Sequence, residues 1–248
     1  MPTATIIVDA ILFDMDGPSL ALTNHLTGSP FAYRTLIDST PGVFKAWKIF
    51  SDDYNLGDSE AIVHATHGRR LYDTLKEYCN IADNDKLQTE IDRFEDGVIE
   101  GGPTALPGAI DLISSLNNHP ESARRWTIVT SATNKYSPRA LERAGMALPL
   151  LGIITSNDVS HGKPHPAPYL AGAAKCSADP ENCLVVEDAI SGLRAGRAAG
   201  ATTLAVLTST ERNIIMQSDA LPNYIVQDLT KVEVDVVSGK LQVTMDLS

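Results

Sequence analysis

The sequence predicts an open α/β fold: a doubly wound, mostly parallel sheet with a small helical domain inserted after the first strand. Short apolar, β-branched runs alternate with amphipathic stretches over most of the chain, which is the pattern of strands covered by helices on both faces. Between about residues 39 and 100 that alternation stops, and only helix-like segments rich in Lys, Glu, Asp and Leu occur. It resumes after the turn-rich stretch GGPTALPG at 101–108, which has the composition of a hinge.

The elements follow in order. Residues 5–13 (TIIVDAILF) form an almost continuous apolar run, suited to a strand buried on both faces. Helices are expected over 43–54, 59–66, 69–80 and 84–100. Strands are expected over 126–130, 152–155, 183–186, 202–206 and 224–226, with helices over 109–117, 135–144, 167–176, 189–199 and 211–217. Beyond Lys231, two alternating apolar runs flank Ser238-Gly239 and predict a terminal β-hairpin. The expected division is a core of 1–17 with 105–248, an inserted loop at 18–34 and a helical cap domain over 35–104.

Composition narrows the function. The chain has 248 residues, 43% of them hydrophobic, enough for a full core. Its net charge of −11 opposes binding to nucleic acid or to an anionic membrane surface. It does not oppose an anionic substrate in a cleft that holds Lys, Arg and a metal ion. No apolar run approaches the ~20 residues of a membrane span. Three cysteines without ligand spacing suit a reducing compartment. The expectation is a cytoplasmic protein, monomeric, acting on a small molecule.

In open α/β sheets ligands bind at the carboxyl ends of strands. Asp14-Met15-Asp16-Gly17 ends the first run, where two carboxylates can face one site or form an acidic turn. Ser131 follows the second strand and can bind phosphate or cap the next helix. Lys163, in the Pro-flanked GKPHP loop, suits a phosphate as a point charge or lies solvated on the surface. Glu187-Asp188 after CLVV offers hard oxygen ligands for Mg²⁺ or caps a helix. Each signal is weak alone. Their recurrence at four successive strand ends predicts a phosphoryl-transfer site.

These residues resemble the motifs of the haloacid-dehalogenase superfamily of phosphotransferases over essentially the whole chain. Within it, the strings HATHGRR at 64–70, WTIVTSAT, NDVSHGKPHPAPYL and VVEDAISGLRAGRAAGA resemble the fungal glycerol-1-phosphatase and 2-deoxyglucose-6-phosphate phosphatase group. The resemblance implies an Mg²⁺-dependent phosphatase for a small polyol or sugar phosphate. It implies Asp14 as nucleophile, Asp16 as general acid/base, and Ser131 and Lys163 as phosphate ligands. It implies a metal held by Asp14, Asp16 (through its backbone carbonyl), Glu187 and Asp188, and cap contacts to the alcohol from His64, His67, Arg69 and Arg70. The alternatives are a sugar phosphomutase of the same fold, or a catalytically impaired member with a binding role.

One departure stands out. After Asp16-Gly17 the family continues with Thr and an apolar pair, whereas here Pro18-Ser19-Leu20-Ala21 follow. The expected continuation begins at Thr35 (TLIDSTPG). Residues 18–34 thus read as an insertion at the nucleophile loop, either a genuine loop or an artefact such as a retained intron.

Overall fold

The computed structural model describes residues 2–16, 35–66 and 69–248, the His64 side chain excepted. The insertion 18–34 and His67 lie outside the described residues. The expected first strand is two strands in two sheets. Thr3–Val8 (β1) alternates outward and inward positions, and Ala10–Phe13 (β2) is buried throughout. The break is at Asp9, whose N–H donates to the Asn182 carbonyl (2.8 Å) and whose carboxylate pairs with Lys240 (3.0 Å). Half of the run therefore leaves the central sheet. Its alternation is masked in the sequence because outward-facing Ile7, 50% exposed, is apolar.

Beyond the undescribed stretch, Ile37–Asp38 (β3) leads into four helices, Thr40–Tyr54 (α1), Ser59–Ala65 (α2), Leu71–Tyr78 (α3) and Asn84–Glu100 (α4). Asp58 and Asp83 set the starts of α2 and α4 by accepting N–H bonds from Glu60 and Lys86. Expected helix 69–80 is shorter, because Arg70 is its extended N-cap and Asn80 turns left-handed (φ 50°). Helices α1 and α4 pack through Trp47, Phe50 and Phe94, with ring centroids 5.1 Å (Trp47–Phe94) and 5.3 Å (Phe50–Phe94) apart. At their root Gly42 meets Gly101 so closely that a Cβ on Gly101 would lie 2.3 Å from the Gly42 Cα. The chain returns through Thr104–Ala105 (β4), antiparallel to β3.

The remainder alternates as expected: Ala109–Asn118 (α5), Trp126–Val129 (β5), Tyr136–Arg143 (α6), Ile153–Ile154 (β6), Ala167–Lys175 (α7), Cys183–Glu187 (β7), Ile190–Ala198 (α8), Thr202–Val206 (β8), Arg212–Gln217 (α9) and Tyr224–Val226 (β9). Six strands form one parallel sheet in the order β6-β5-β2-β7-β8-β9, the open, doubly wound arrangement. The terminal hairpin, Val232–Val237 (β10) and Lys240–Asp246 (β11), takes β1 as its third strand in register Thr3↔Asp246 to Val8↔Leu241.

The order places β2 between β5 and β7, so the segments that follow all three strands converge. Past the insertion the chain resumes against the first motif: Leu36 and Ile37 both donate N–H bonds to the Met15 carbonyl (3.0 and 3.2 Å). If Gly17 were joined directly to Thr35, the Leu36 bond would close an i→i+4 turn over Asp16, Gly17 and Thr35, a common chain reversal. A variant lacking 18–34 is therefore expected to fold cooperatively and keep its stability within about 1 kcal/mol, measured by urea denaturation. A loss well beyond that would show that 18–34 packs as part of the fold.

Candidate active site

Asp14 leaves the end of β2 with its N–H bonded to the Val186 carbonyl of β7 (2.9 Å), which pins its backbone to the neighbouring strand. Lys163 reaches in from the Pro-flanked loop before α7, whose Lys163–Pro164 peptide is cis. Its Nζ donates to Asp14 Oδ1 (2.5 Å), Glu187 Oε1 (2.7 Å) and the Val129 carbonyl (3.0 Å). Lys163 is thus a buried cation, not a solvated surface lysine.

Glu187 is held on both oxygens. Oε1 also accepts from the Tyr169 hydroxyl (2.9 Å), and Oε2 accepts the N–H groups of Asp188 and Ala189 (3.0 Å each). Gly192 permits this: a Cβ there would sit 1.6 Å from Glu187 Oε1. Thr35, the first described residue after the insertion, donates to Asp188 Oδ1 (2.8 Å) and lies 3.4 Å from Asp14 Oδ2. Asp16 Oδ2 accepts from Tyr136 (3.0 Å) and from Ser39.

Oxygens of Asp14, Glu187 and Asp188 lie within 4.8 Å of one another, all buried. Burial pushes the Asp14 carboxyl well above the usual carboxylate range; Lys163 opposes this, while Glu187 and Asp188 add to it. Burial alone would depress the Lys163 ammonium, but the Asp14 and Glu187 charges outweigh it and hold its pKa above the ordinary value. Together with Asp16, four buried carboxylates converge on one buried ammonium among the described residues. Such an anionic excess of hard oxygens suits a divalent cation of the Mg²⁺ type. Asp14, Glu187 and Asp188 are the side chains that could hold it, and Glu187 also orients Lys163.

The carboxylates floor a cleft partly open to solvent, with Ser131 and Lys163 in its lining. Its roof is apolar, from Val43, Trp47, Leu71, Phe94 and Val98, interrupted by Arg69 and Glu95. Of the expected cap residues, Arg69 reaches the cleft while pairing with Glu77 (2.5 Å). Arg70, also expected to contact the alcohol, points to other partners. Its guanidinium forks onto Asp73 (2.8 and 3.2 Å) and donates to the Ser160 carbonyl (3.3 Å), with its stem over Gly162. The His64 side chain and His67 lie outside the described residues.

Sequence reasoning missed Tyr136, Tyr169 and Glu95, and assigned no role to Thr35 or Ser39. Glu95 had a readable signal: it shares the buried face of α4 with Leu87, Ile91, Phe94 and Val98, where an acid breaks the apolar period. Its Oε1 accepts the Thr133 N–H (3.2 Å) and its Oε2 the Thr133 hydroxyl (2.5 Å). Burial raises its carboxyl to about 7, against the opposing Thr133 bonds.

The sequence profile described as haloacid dehalogenase-like hydrolase matches residues 34–206, more than half the chain. The chain belongs to this family. It is 31% identical over 222 residues to glycerol-1-phosphate phosphohydrolase 2 of Saccharomyces cerevisiae, covering 85% of this chain and 79% of that protein. It is 33% identical over 197 residues to hexitol phosphatase A of Escherichia coli, covering 79% and 81%. Its fold matches the crystal structure of a hydrolase from Pseudomonas syringae with a TM-score of 0.68 at 24% identity, covering 89% and 93%.

Glu95 gives a pH signature. Its folded pKa lies above the ordinary 4.5, so the folded state binds the proton more tightly than the unfolded chain. That contribution is complete below about pH 4.5 and is lost as pH rises through about 7. The stability of Glu95→Gln relative to the parent is expected to rise by about 2–3 kcal/mol between pH 5 and pH 8 in urea titrations. Parallel curves for the two proteins would contradict this.

Proposed function

We propose that this chain, a phosphoric monoester hydrolase of the haloacid dehalogenase-like family, releases phosphate from a small polyol or sugar phosphate through an aspartyl-phosphate at Asp14. The observation that carries the reading is the Lys163 bridge. One ammonium holds Asp14 Oδ1 and Glu187 Oε1 at the floor of a cleft whose roof is apolar, with Asp16 at the same floor. The domain division is part of the proposal: core 1–17 with 105–248, insertion 18–34, cap 35–104.

A carboxylate oxygen of Asp14 forms the bond to phosphorus as the ester P–O bond breaks. Asp16 donates a proton to the departing alkoxide, then accepts one from the water that cleaves the acyl phosphate. Tyr136 and Ser39 hold the Asp16 carboxyl by hydroxyl donors to Oδ2, which fixes its orientation for proton transfer. Lys163, with Ser131 beside it in the lining, draws the transferring phosphoryl oxygens. The metal ligands would be Asp14, the Asp16 backbone carbonyl and Asp188, with Glu187 behind Lys163. Mg²⁺ bound there supplies charge neutralisation of the phosphoryl oxygens and favours the ionised form of Asp14. The apolar roof over the floor, including Trp47 and Phe94, would exclude bulk water during transfer.

Substrate choice draws on the yeast and bacterial relatives, whose names specify glycerol-1-phosphate and hexitol phosphates. The phosphate-release rate from glycerol 1-phosphate, a hexitol phosphate and 2-deoxyglucose 6-phosphate tests this, with and without Mg²⁺. Release that needs Mg²⁺ and falls more than about a thousandfold in Asp14→Asn is the expected result. Isomerised sugar phosphate with little free phosphate would mark a mutase instead, and a folded protein without turnover would mark an impaired member.

A further inference from the structure

We propose that Glu95 selects the alcohol half of the substrate: its buried carboxylate receives hydroxyl protons from a neutral polyol chain and excludes esters that carry a second anionic group near the phosphate. This rests on the phosphomonoesterase reading above and adds to it the residue that distinguishes among phosphate esters.

Glutamates are rarely buried without a cation, and Glu95 is only 4% exposed. Its partners are instead the neutral Thr133 N–H and hydroxyl, one on each oxygen. A carboxylate has about four acceptor sites, so two bonds fix the group and leave acceptor capacity toward the cleft it lines. Lys135, the N-cap of α6 whose charge acts on Glu95, is engaged by Asp92 (2.7 Å).

The rest of the cap's share of the wall offers little to a hydroxyl. Val43, Trp47, Leu71, Phe94 and Val98 are apolar. The two threonines there donate their hydroxyls inward, Thr66 to the Ile62 carbonyl (2.9 Å) and Thr74 to the Leu71 carbonyl (3.0 Å). The Arg69 charge, which would otherwise attract a second anion, is paired with Glu77. Glu95 is thus the strong acceptor that the cap presents to the alcohol among the described residues.

It is also held rigidly. Asp92–Lys135 and Asp96–Arg139, each 2.7 Å, join α4 to the start of α6 and its second turn, on either side of the Glu95–Thr133 bonds. A preorganised acceptor of this kind favours substrates that bring a hydroxyl and disfavours those that cannot satisfy it or that bring like charge.

The test compares kcat/KM for glycerol 1-phosphate and a hexitol phosphate with those for p-nitrophenyl phosphate and 2-phosphoglycolate at pH 8. In Glu95→Gln the ratio of polyol ester to p-nitrophenyl phosphate should fall about tenfold or more, and the ratio to 2-phosphoglycolate further still. Glu95→Asp, which withdraws the acceptor by one methylene, should shift the ratios in the same direction and serves if the Gln variant does not fold. Unchanged ratios, or equal losses on every ester, would make Glu95 a structural tie and overturn the proposal. A second readout needs no turnover: calorimetric binding of glycerol 1-phosphate and of inorganic phosphate to Asp14→Asn. Adding Glu95→Gln should weaken the first about tenfold and leave the second unchanged; equal weakening of both would again overturn the proposal. Glu95-dependent binding without turnover of any ester by the parent would sink the hydrolase reading while leaving the role of Glu95 standing.

Discussion

Lys163 sits where three strands end, its ammonium shared among Asp14, Glu187 and the Val129 carbonyl with almost no exposure. Much of the molecule is arranged around that charge. Without it, Asp14, Glu187 and Asp188 would be buried like charges within 4.8 Å, a cluster that desolvation and mutual repulsion would drive to protonation. Tyr169 shares Glu187 Oε1 with Lys163, the Asp188 and Ala189 N–H groups hold its Oε2, and Thr35 donates to Asp188 Oδ1, so the cluster stays ordered while still short of positive charge. The same deficit that makes the site costly to fold makes it receptive to a cation, and only through that cation to a phosphoryl group.

The electrostatic floor meets a roof of opposite character. Aromatic packing of Trp47, Phe50 and Phe94 makes the helical layer a small core of its own, and its inner side closes over the carboxylates. Polar ties between the layers are few in kind and specific in place. Among the described residues they include the Asp92 and Asp96 ion pairs at the surface, the Glu95–Thr133 bonds beneath them, Arg70 on the Ser160 carbonyl, and Ser39 on Asp16. Exposed ion pairs of this sort contribute only about 0.2–1 kcal/mol each, so they set register more than they hold the layers together.

How much of this was legible in the sequence depended on how each element is buried. Runs such as CLVV and TTLAV are apolar on both faces, so the parallel strands were readable to within a residue or two. Residues 3–8 were not, because an exposed Ile7 hides the alternation that marks a half-solvated strand. The floor of the site was readable because Asp14, Asp16, Lys163 and Glu187-Asp188 each follow a strand. Its roof was not: which of two adjacent arginines faces the cleft depends on where α3 begins, and α3 begins at Leu71. The displaced continuation at Thr35 was readable as a break in motif continuity. The Met15 carbonyl, bonded to Leu36 and Ile37, shows that the continuation rejoins the motif in space.

The central claim is that the Lys163-held Asp14 is a nucleophile that takes up the phosphoryl group. Rapid acid quench during turnover of a polyol phosphate, followed by peptide mass analysis, tests it directly. The account predicts that the peptide containing Asp14 gains the mass of one phosphoryl group, that hydroxylamine removes it, and that Asp14→Asn never acquires it. Turnover with no such adduct, or an adduct on another residue, would contradict it.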